Sequence, residues 1–522
     1  MFYLIAKIPL IMKPKLFFWI DTSGVHYGLA KYIQDNFDCE LFSIFEMTDK
    51  PKIFFESQKF VKFKKIWFYH DYILKTKRKP DLNYLKSIEK KYNIPLWVIA
   101  ANDRIFNHFN NFYKFSRDEI LLILEDGIKF FERVLDEVKP DFLIMSETYQ
   151  QHNHLFYKIC KARNIKILMT IASRTPITKD HLPKTGEFIG DIYYLTDEQD
   201  KFLPLPKTIK PNIYKQIKLN KKFENIRDPN SDKRVYGGFL TSRSKYFKAV
   251  LKYLFTNDTN VQTHYTYFGR SKIKVIFDKI AFELRKKHRK NFMEKNLRKN
   301  TESDLPFIYF PLHQEQERIL LLGAPFYTNQ FEVIQNIAKS LPVGYNLYVK
   351  DHFVMNVRGW RSVSEMKKIM SLYNVKLLHH TVNSEELIKK SSLVISIKGT
   401  TAIEAALHNK PSIIFGNVGP YQLSSVHKLQ SITELPQAIR KSLKIEVNPD
   451  EVRKYLDAIN EYAFQFPYVR MYVDFESEFK IGGYYANTEI DSHKIKEYLE
   501  KFEPELTRLA LFHIENIKRL SN

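Results

Sequence analysis

The sequence predicts an α/β chain made of two Rossmann-like units, on three observations. Short apolar strands alternate with amphipathic helices. The first clean strand runs straight into a glycine-containing loop and then a helix. After residue 305 the same strand, loop, helix order begins again.

The opening strand is Lys15–Asp21, followed by Thr22-Ser23-Gly24-Val25-His26-Tyr27-Gly28 and a helix from Leu29. Further strands are expected at Lys65–Tyr69, Trp97–Ala100, Asp141–Met145 and Lys166–Ile171. Ser116–Val138 is a helix, because Ile120, Leu121, Leu124, Ile128, Phe131, Leu135 and Val138 keep its period. Pro140 ends it. Phe202–Pro211 reads as a proline-rich loop and Lys272–Lys299 as a basic helix. In the second unit the strands are Phe307–Phe310, Asn346–Lys350, Lys376–Leu378, Leu393–Ser396 and Ser412–Phe415. Helices fall at Gln330–Ser340, Ser364–Leu372, Ser384–Lys390 and Thr401–Leu407. Residues 445–522 are mostly helical.

This reading divides the chain into a first unit, 12–300, with a basic helical segment at 271–300, a second unit, 305–440, and a helical tail, 441–522, that packs back on the first. With 522 residues, 44% of them apolar, the chain can bury real cores and is not a disordered polymer. The stretch Met1–Met12 is short and broken by Lys7, so neither a signal peptide nor a membrane span is expected there, and Met12 is an alternative start because the first clean strand follows it.

The net charge of +23 is uneven. Residues 1–300 hold 56 Lys+Arg against 33 Asp+Glu, whereas residues 301–522 hold 26 of each. Lysine outnumbers arginine 61 to 21, a bias that should enrich both halves alike. The asymmetry therefore suggests an anionic partner for the first half: nucleic acid, a membrane surface or an acidic glycan. No helix-turn-helix, zinc-finger, RRM or KH signature supports nucleic acid. Two cysteines, Cys39 and Cys160, exclude a disulfide framework and suggest a reducing compartment. No run of 18 apolar residues occurs, so the expected location is cytoplasmic, with peripheral contact at the inner face of the cell membrane as an option. Asp-x-Asp is absent, and neither His379-His380 nor His152-x-His154 comes with a third ligand, so no metal is expected.

Three polar clusters sit at strand ends of the second unit. Ser396, Gly399, Thr400 and Thr401 follow one strand and open a helix, where hydroxyls and backbone amides suit a phosphate. Glu404, one turn in, can accept from both hydroxyls of a ribose. Lys350-Asp351-His352 ends another strand; Lys350 can neutralise a phosphate and His352 can assist a leaving group. His313 and Gln330 lie after a third. Each cluster alone is as readily a capped helix or a solvated loop. Three on one sheet edge, where ligands of open α/β sheets bind, make a site. In the first unit, strand ends offer Asp21 and His26, Ser146-Glu147 and Asp103-Arg104. His26 and Glu147 are the candidate catalytic bases. Glu125-Asp126-Gly127 is similar to an acidic motif of bacterial sialyltransferases, but it falls inside the Ser116–Val138 helix.

The ordered set Pro311-Leu312-His313, Glu317, Gly323, Asn329-Gln330, Leu341-Pro342, Lys350-Asp351-His352, Gly399-Thr400, Glu404-Ala405, Lys410-Pro411 and Phe415-Gly416 resembles the capsule polysaccharide biosynthesis family of glycosyltransferases. Phe353 stands where that family has proline, and Gln316 where it has proline before glutamate. The resemblance implies a GT-B fold, two Rossmann-like units facing a cleft, with a nucleotide-sugar donor on the second as co-substrate and no other cofactor. It implies that Glu404 meets the ribose, that Gly399, Thr400 and Thr401 meet phosphate, and that His352 assists the departing phosphate. The acceptor would be a growing surface glycan, free or lipid-linked. The competing expectations are a sugar-nucleotide epimerase of the same fold and a non-catalytic basic protein that binds nucleic acid or membrane.

Overall fold

The structure of the chain, a computed structural model, describes residues 13–73, 78–108, 110–172, 191–199, 243–256, 265–302, 305–352, 354–355, 359–417, 422–481 and 487–521. The segment before Met12, the Phe202–Pro211 loop and Phe353 lie outside them.

Two sheets organise these residues. The first has the order β13-β6-β5-β4-β1-β2-β3, with β1 Lys15–Ile20, β2 Glu40–Phe45, β3 Phe63–Phe68, β4 Phe142–Ser146, β5 Lys166–Ala172, β6 Asp191–Thr196 and β13 Phe464–Phe466. Strands β1 to β5 are parallel, and β6 and β13 each join antiparallel to their neighbour. The second has the order β12-β11-β10-β7-β8-β9 and is parallel throughout: β7 Phe307–Pro311, β8 Asn346–Lys350, β9 Val375–Leu378, β10 Leu393–Ser396, β11 Ser412–Ile414 and β12 Val426–Lys428. Both are Rossmann-like, with helices packed on their faces.

Strand β1 is apolar on both faces and buries five of its six residues, as a central parallel strand must. Its exit is fixed by Gly24. The φ there is +73°, and a Cβ would stand 2.4 Å from the Phe475 ring, so only glycine fits. Ser116 caps the helix Arg117–Val138 through a reciprocal box with Glu119: the Glu119 amide donates to Ser116 Oγ at 3.2 Å, and the Ser116 amide to Glu119 Oε2 at 2.8 Å. Glu125 on this helix is fully buried and accepts from Arg78, Lys129 and the Asp81 amide, which gives the Glu125-Asp126 pair a structural role.

One expected strand is a helix. Leu96–Ala101 begins after Pro95 and buries Leu96, Ile99 and Ala100 while leaving Trp97 45% exposed. That is a helical spacing, and four apolar residues in a row did not distinguish it from a strand. Strands β2, β6, β12 and β13 appear where none was expected.

With β13 the chain returns to the first sheet. Helix Glu503–Ser521 packs along helix Val25–Asn36, with Gly28 allowing the approach: a Cβ there would lie 2.7 Å from Leu506. Between them sit two buried histidines, His26 and His513. Burial lowers both from their ordinary 6.5, His513 to about 4. The folded state therefore binds fewer protons than the unfolded chain, and this stability is present above pH 6.5 and lost as pH falls toward 4. A histidine held that far down contributes about 3 kcal/mol. Urea midpoints should fall steeply between pH 6.5 and 4.5, and His513→Gln should flatten the slope; an identical slope in the variant would refute the assignment.

Candidate functional site

In each sheet the chain order reverses beside the first strand of the unit, between β1 and β4 and between β7 and β10. At such a switch point neighbouring loops diverge and open a crevice at the carboxyl ends. In the second sheet this crevice holds His313, just after β7, and Ser396 to Thr401, just after β10.

Gln330, the first residue of helix Gln330–Ser340, brackets the His313 backbone: the His313 amide donates to Oε1 at 2.7 Å, and Nε2 donates to the His313 carbonyl at 2.9 Å. His313 Nε2 in turn accepts the Lys398 amide at 3.3 Å. Gly399 packs against this pair. A Cβ there would stand 2.8 Å from Ser396 Oγ and 3.2 Å from His313 Nε2, so a side chain would push the loop off the histidine. Ser396 is fully buried. Thr400 Oγ1 donates to Glu404 Oε1 at 3.0 Å, and Glu404 stands nearly buried one turn inside helix Thr401–Leu407. Gly416 brings the end of β11 alongside, 3.3 Å from Lys398 Cδ as measured from a would-be Cβ.

The β8 loop joins the crevice through a residue that sequence reasoning missed. Arg361 is buried and donates through Nη2 to the His313 carbonyl at 2.9 Å, and its Nε lies 3.2 Å from Asp351 Oδ2. It also binds Glu365, at 2.9 Å, and Glu315. Burial pushes the Asp351 and Glu365 carboxyls above their ordinary range, and the guanidinium opposes this in both. The Asp351 carboxylate accepts the His352 amide at 2.9 Å, and His352 Nδ1 accepts the Val354 amide at 3.2 Å. With Nδ1 used as an acceptor, the His352 proton sits on Nε2. Lys350 instead reaches Ser384 Oγ at 2.5 Å. The structure thus gathers His313, Gln330, Ser396, Gly399, Thr400, Thr401 and Glu404, ties His352 to them through Asp351 and Arg361, and turns Lys350 toward the first residue of helix Ser384–Lys390. Lys398, nearly buried between Ser396 and Gly399, belongs with them. Its position in the loop motif was the available signal; Arg361 had none.

The first unit corrects one expectation. His26 does not face a crevice: it is 1% exposed, beneath Tyr468 of helix Tyr468–Phe479. The returning tail covers the loop that a glycine loop alone would have left open. Glu147, the other candidate base, pairs with Arg318 Nη1 at 3.0 Å. Glu147 follows β4 and Arg318 follows β7, so this ion pair joins the carboxyl edges of the two sheets and shows that they face each other. Asn102 adds a bond from its side chain to the Pro325 carbonyl at 3.2 Å. Asp21, at the first switch point, accepts from the Ser23 amide at 2.9 Å and from Ser146 Oγ at 3.3 Å. Asp103 accepts backbone amides of Ile105 and Gln151.

Beside Asp21, Glu46 directly follows β2. It accepts from Trp19 Nε1 at 3.1 Å and from the Tyr149 hydroxyl at 2.7 Å, and lies 3.0 Å from His152 Nε2. His154 is held by Thr148 and Gln199, and His379 lies 3.4 Å from Glu294. Glu46, Thr22, His70 and Gln150 form one wall of a cavity of about 790 Å³. Helices Arg243–Phe255 and Lys272–Asn296 and the tail residues Phe475 and Phe479 form the others.

Two facing Rossmann-like units with a crevice at each switch point define a GT-B-like protein. Residues 218–433 match the family of capsule polysaccharide biosynthesis proteins, which bears out the resemblance read from the motifs. No curated protein matches the chain. Solved structures similar to it include UDP-GlcNAc 2-epimerase of Methanocaldococcus jannaschii, 12% identical over 83% of this chain and 94% of that one, TM-score 0.26. The beta Kdo 2,7 transferase KpsC of Thermosulfurimonas dismutans is 11% identical over 64% and 88%, TM-score 0.26. The N-terminal domain of trehalose-6-phosphate phosphatase of Candida albicans is 9% identical over 96% and 98%, TM-score 0.28.

Proposed function

We propose that the chain is a glycosyltransferase that moves a sugar from a nucleotide-sugar donor to a growing surface glycan of the capsule or lipopolysaccharide type, free or lipid-linked. The observation that carries this reading is the switch-point crevice of the second sheet. It lies within the segment matched to the capsule family and opens toward the first sheet across the Glu147–Arg318 pair. In it, Glu404 accepts the ribose hydroxyls, Ser396 and Thr401 donate through their hydroxyls to phosphate oxygens, Thr400, whose hydroxyl is given to Glu404, donates its backbone amide, and Lys398 supplies positive charge. His352, protonated on Nε2, donates to the phosphate that departs. The acceptor enters from the first unit. With no Asp-x-Asp in the sequence, transfer should proceed in the presence of a chelator.

The test is incubation with CMP-, CDP-, UDP-, GDP- and dTDP-sugars, with and without glycan acceptors. Acceptor-dependent release of nucleotide is the expected result. Isomerised sugar nucleotide formed without an acceptor would overturn the reading in favour of an epimerase. His352→Ala should lower kcat about a hundredfold while the donor Kd moves little, because its contact strengthens only as the bond breaks. An equal loss in both would make His352 a binding residue.

A further inference from the structure

Helix Arg243–Phe255 ends where helix Lys272–Asn296 begins. Lys272 Nζ donates to the Leu254 carbonyl at 2.9 Å, and both helices wall the cavity described above. The second helix is anchored to the rest of the fold: Arg289 donates to the carbonyls of Gly359 and Trp360 at 3.1 and 2.8 Å, and Met293 is buried in the core of the second unit.

Each helix nevertheless keeps an apolar stripe in solvent. On the first it is Phe247, Leu251, Leu254 and Phe255; Phe247 is 62% and Phe255 81% exposed. On the second it is Ile273, Phe277, Ile280 and Leu284, each more than half exposed. Both sets follow helical spacing, so each is one face. A soluble monomer seldom leaves so much contiguous apolar surface uncovered. The charge around the stripes is one-sided. Helix Arg243–Phe255 carries four Lys/Arg and no acid, and helix Lys272–Asn296 carries nine against three. These two helices thus hold +10 of the +23, and Lys248, Lys252, Lys274, Arg285, Lys287 and Lys290 on them are exposed.

Those features select among occupants. A second copy would bring +10 against +10. A nucleic acid would use the lysines and could stack bases on the phenylalanines, but the aliphatic Leu251, Leu254, Ile273, Ile280 and Leu284 offer it nothing to stack on or pair with. A bilayer with anionic headgroups uses both: the apolar stripe enters the acyl boundary and the basic residues meet the headgroups. We propose that this two-helix face docks in the plane of an anionic lipid bilayer. Phe247 and Ile280 belong both to the stripes and to the cavity lining, so docking places that cavity's mouth at the lipid boundary. The proposal stands independently of the transferase reading.

The test is co-sedimentation of the full chain with vesicles of phosphatidylcholine alone and of phosphatidylcholine mixed with phosphatidylglycerol. The protein should pellet with the anionic vesicles only. Phe255→Ser/Phe277→Ser and Lys287→Glu/Lys290→Glu should each weaken binding roughly tenfold or more. Thermal transitions and nucleotide binding should not change, since all four side chains are exposed. In Phe277→Trp, emission should shift to the blue and be quenched by brominated acyl chains. No association with anionic vesicles would overturn the proposal. So would binding that survives removal of the phenylalanines, which would leave electrostatics alone. Conversion of a dimer to a monomer by the same substitutions would overturn it in favour of a second copy.

Discussion

Arg361→Met is expected to lower the unfolding free energy by about 3–5 kcal/mol, the cost of removing one member of a buried charge cluster. Arg361 is the cation among Asp351, Glu315 and Glu365, and it also holds the His313 carbonyl. Methionine fills similar space but leaves these carboxylates facing one another. Burial already raises the Asp351 and Glu365 carboxyls, so the folded state prefers them protonated. Without the guanidinium that preference grows. The variant's stability should be greatest below the ordinary carboxylate range and be lost as pH rises through the raised folded values. Arg361→Lys keeps the charge but cannot span the same set of partners, and should fall between. Asp351→Asn added to Arg361→Met should recover part of the loss, because the two sites share one interaction. Denaturant titration at two pH values reads all of this. A loss below about 1 kcal/mol in Arg361→Met would mean that the cluster is solvated and its charges screened.

Glu404→Ala is expected to weaken nucleotide binding about tenfold to a hundredfold, the worth of one or two hydrogen bonds to a charged acceptor. The carboxylate stands one turn inside helix Thr401–Leu407, positioned by Thr400 Oγ1 at 3.0 Å. Glu404→Gln keeps one acceptor and should lose less. Calorimetric titration with CMP, UDP and the other nucleotides measures the effect, and an unchanged thermal transition excludes a folding defect. An unchanged Kd in both variants would remove Glu404 from the donor site and, with it, the main support for the proposed orientation of the nucleotide.

Much of the fold was legible from local pattern. Strands β1, β4, β5, β7, β8 and β10 are apolar runs closed by a proline, a glycine loop or a polar cluster, and helix Arg117–Val138 carries both its period and its capping box. Strands β6 and β13 were not legible. They pair with each other across some 270 residues, Phe464 with Tyr193 and Phe466 with Asp191, and no short-range pattern encodes such a partner. Strand β12, three residues long, has too little sequence to carry a period. Leu96–Ala101 was misread because a fully apolar tetrapeptide has neither a period of two nor one of 3.6.

The sequence by itself determined the alternation of strands and helices, the strand-end clusters containing His313, His352, Ser396, Gly399 and Glu404, and the concentration of positive charge before residue 300. These are local properties: side-chain period, turn chemistry and composition. Only the tertiary structure decided which clusters meet. Arg361 joins the β7 and β8 loops because three carboxylates and a carbonyl converge on it, Glu147 is taken by Arg318 from the opposite sheet, and His26 is covered by a helix more than 440 residues later in the chain. Burial and pairing depend on contacts between segments far apart in sequence, so a residue's chemical type was readable in advance while its freedom to act was not.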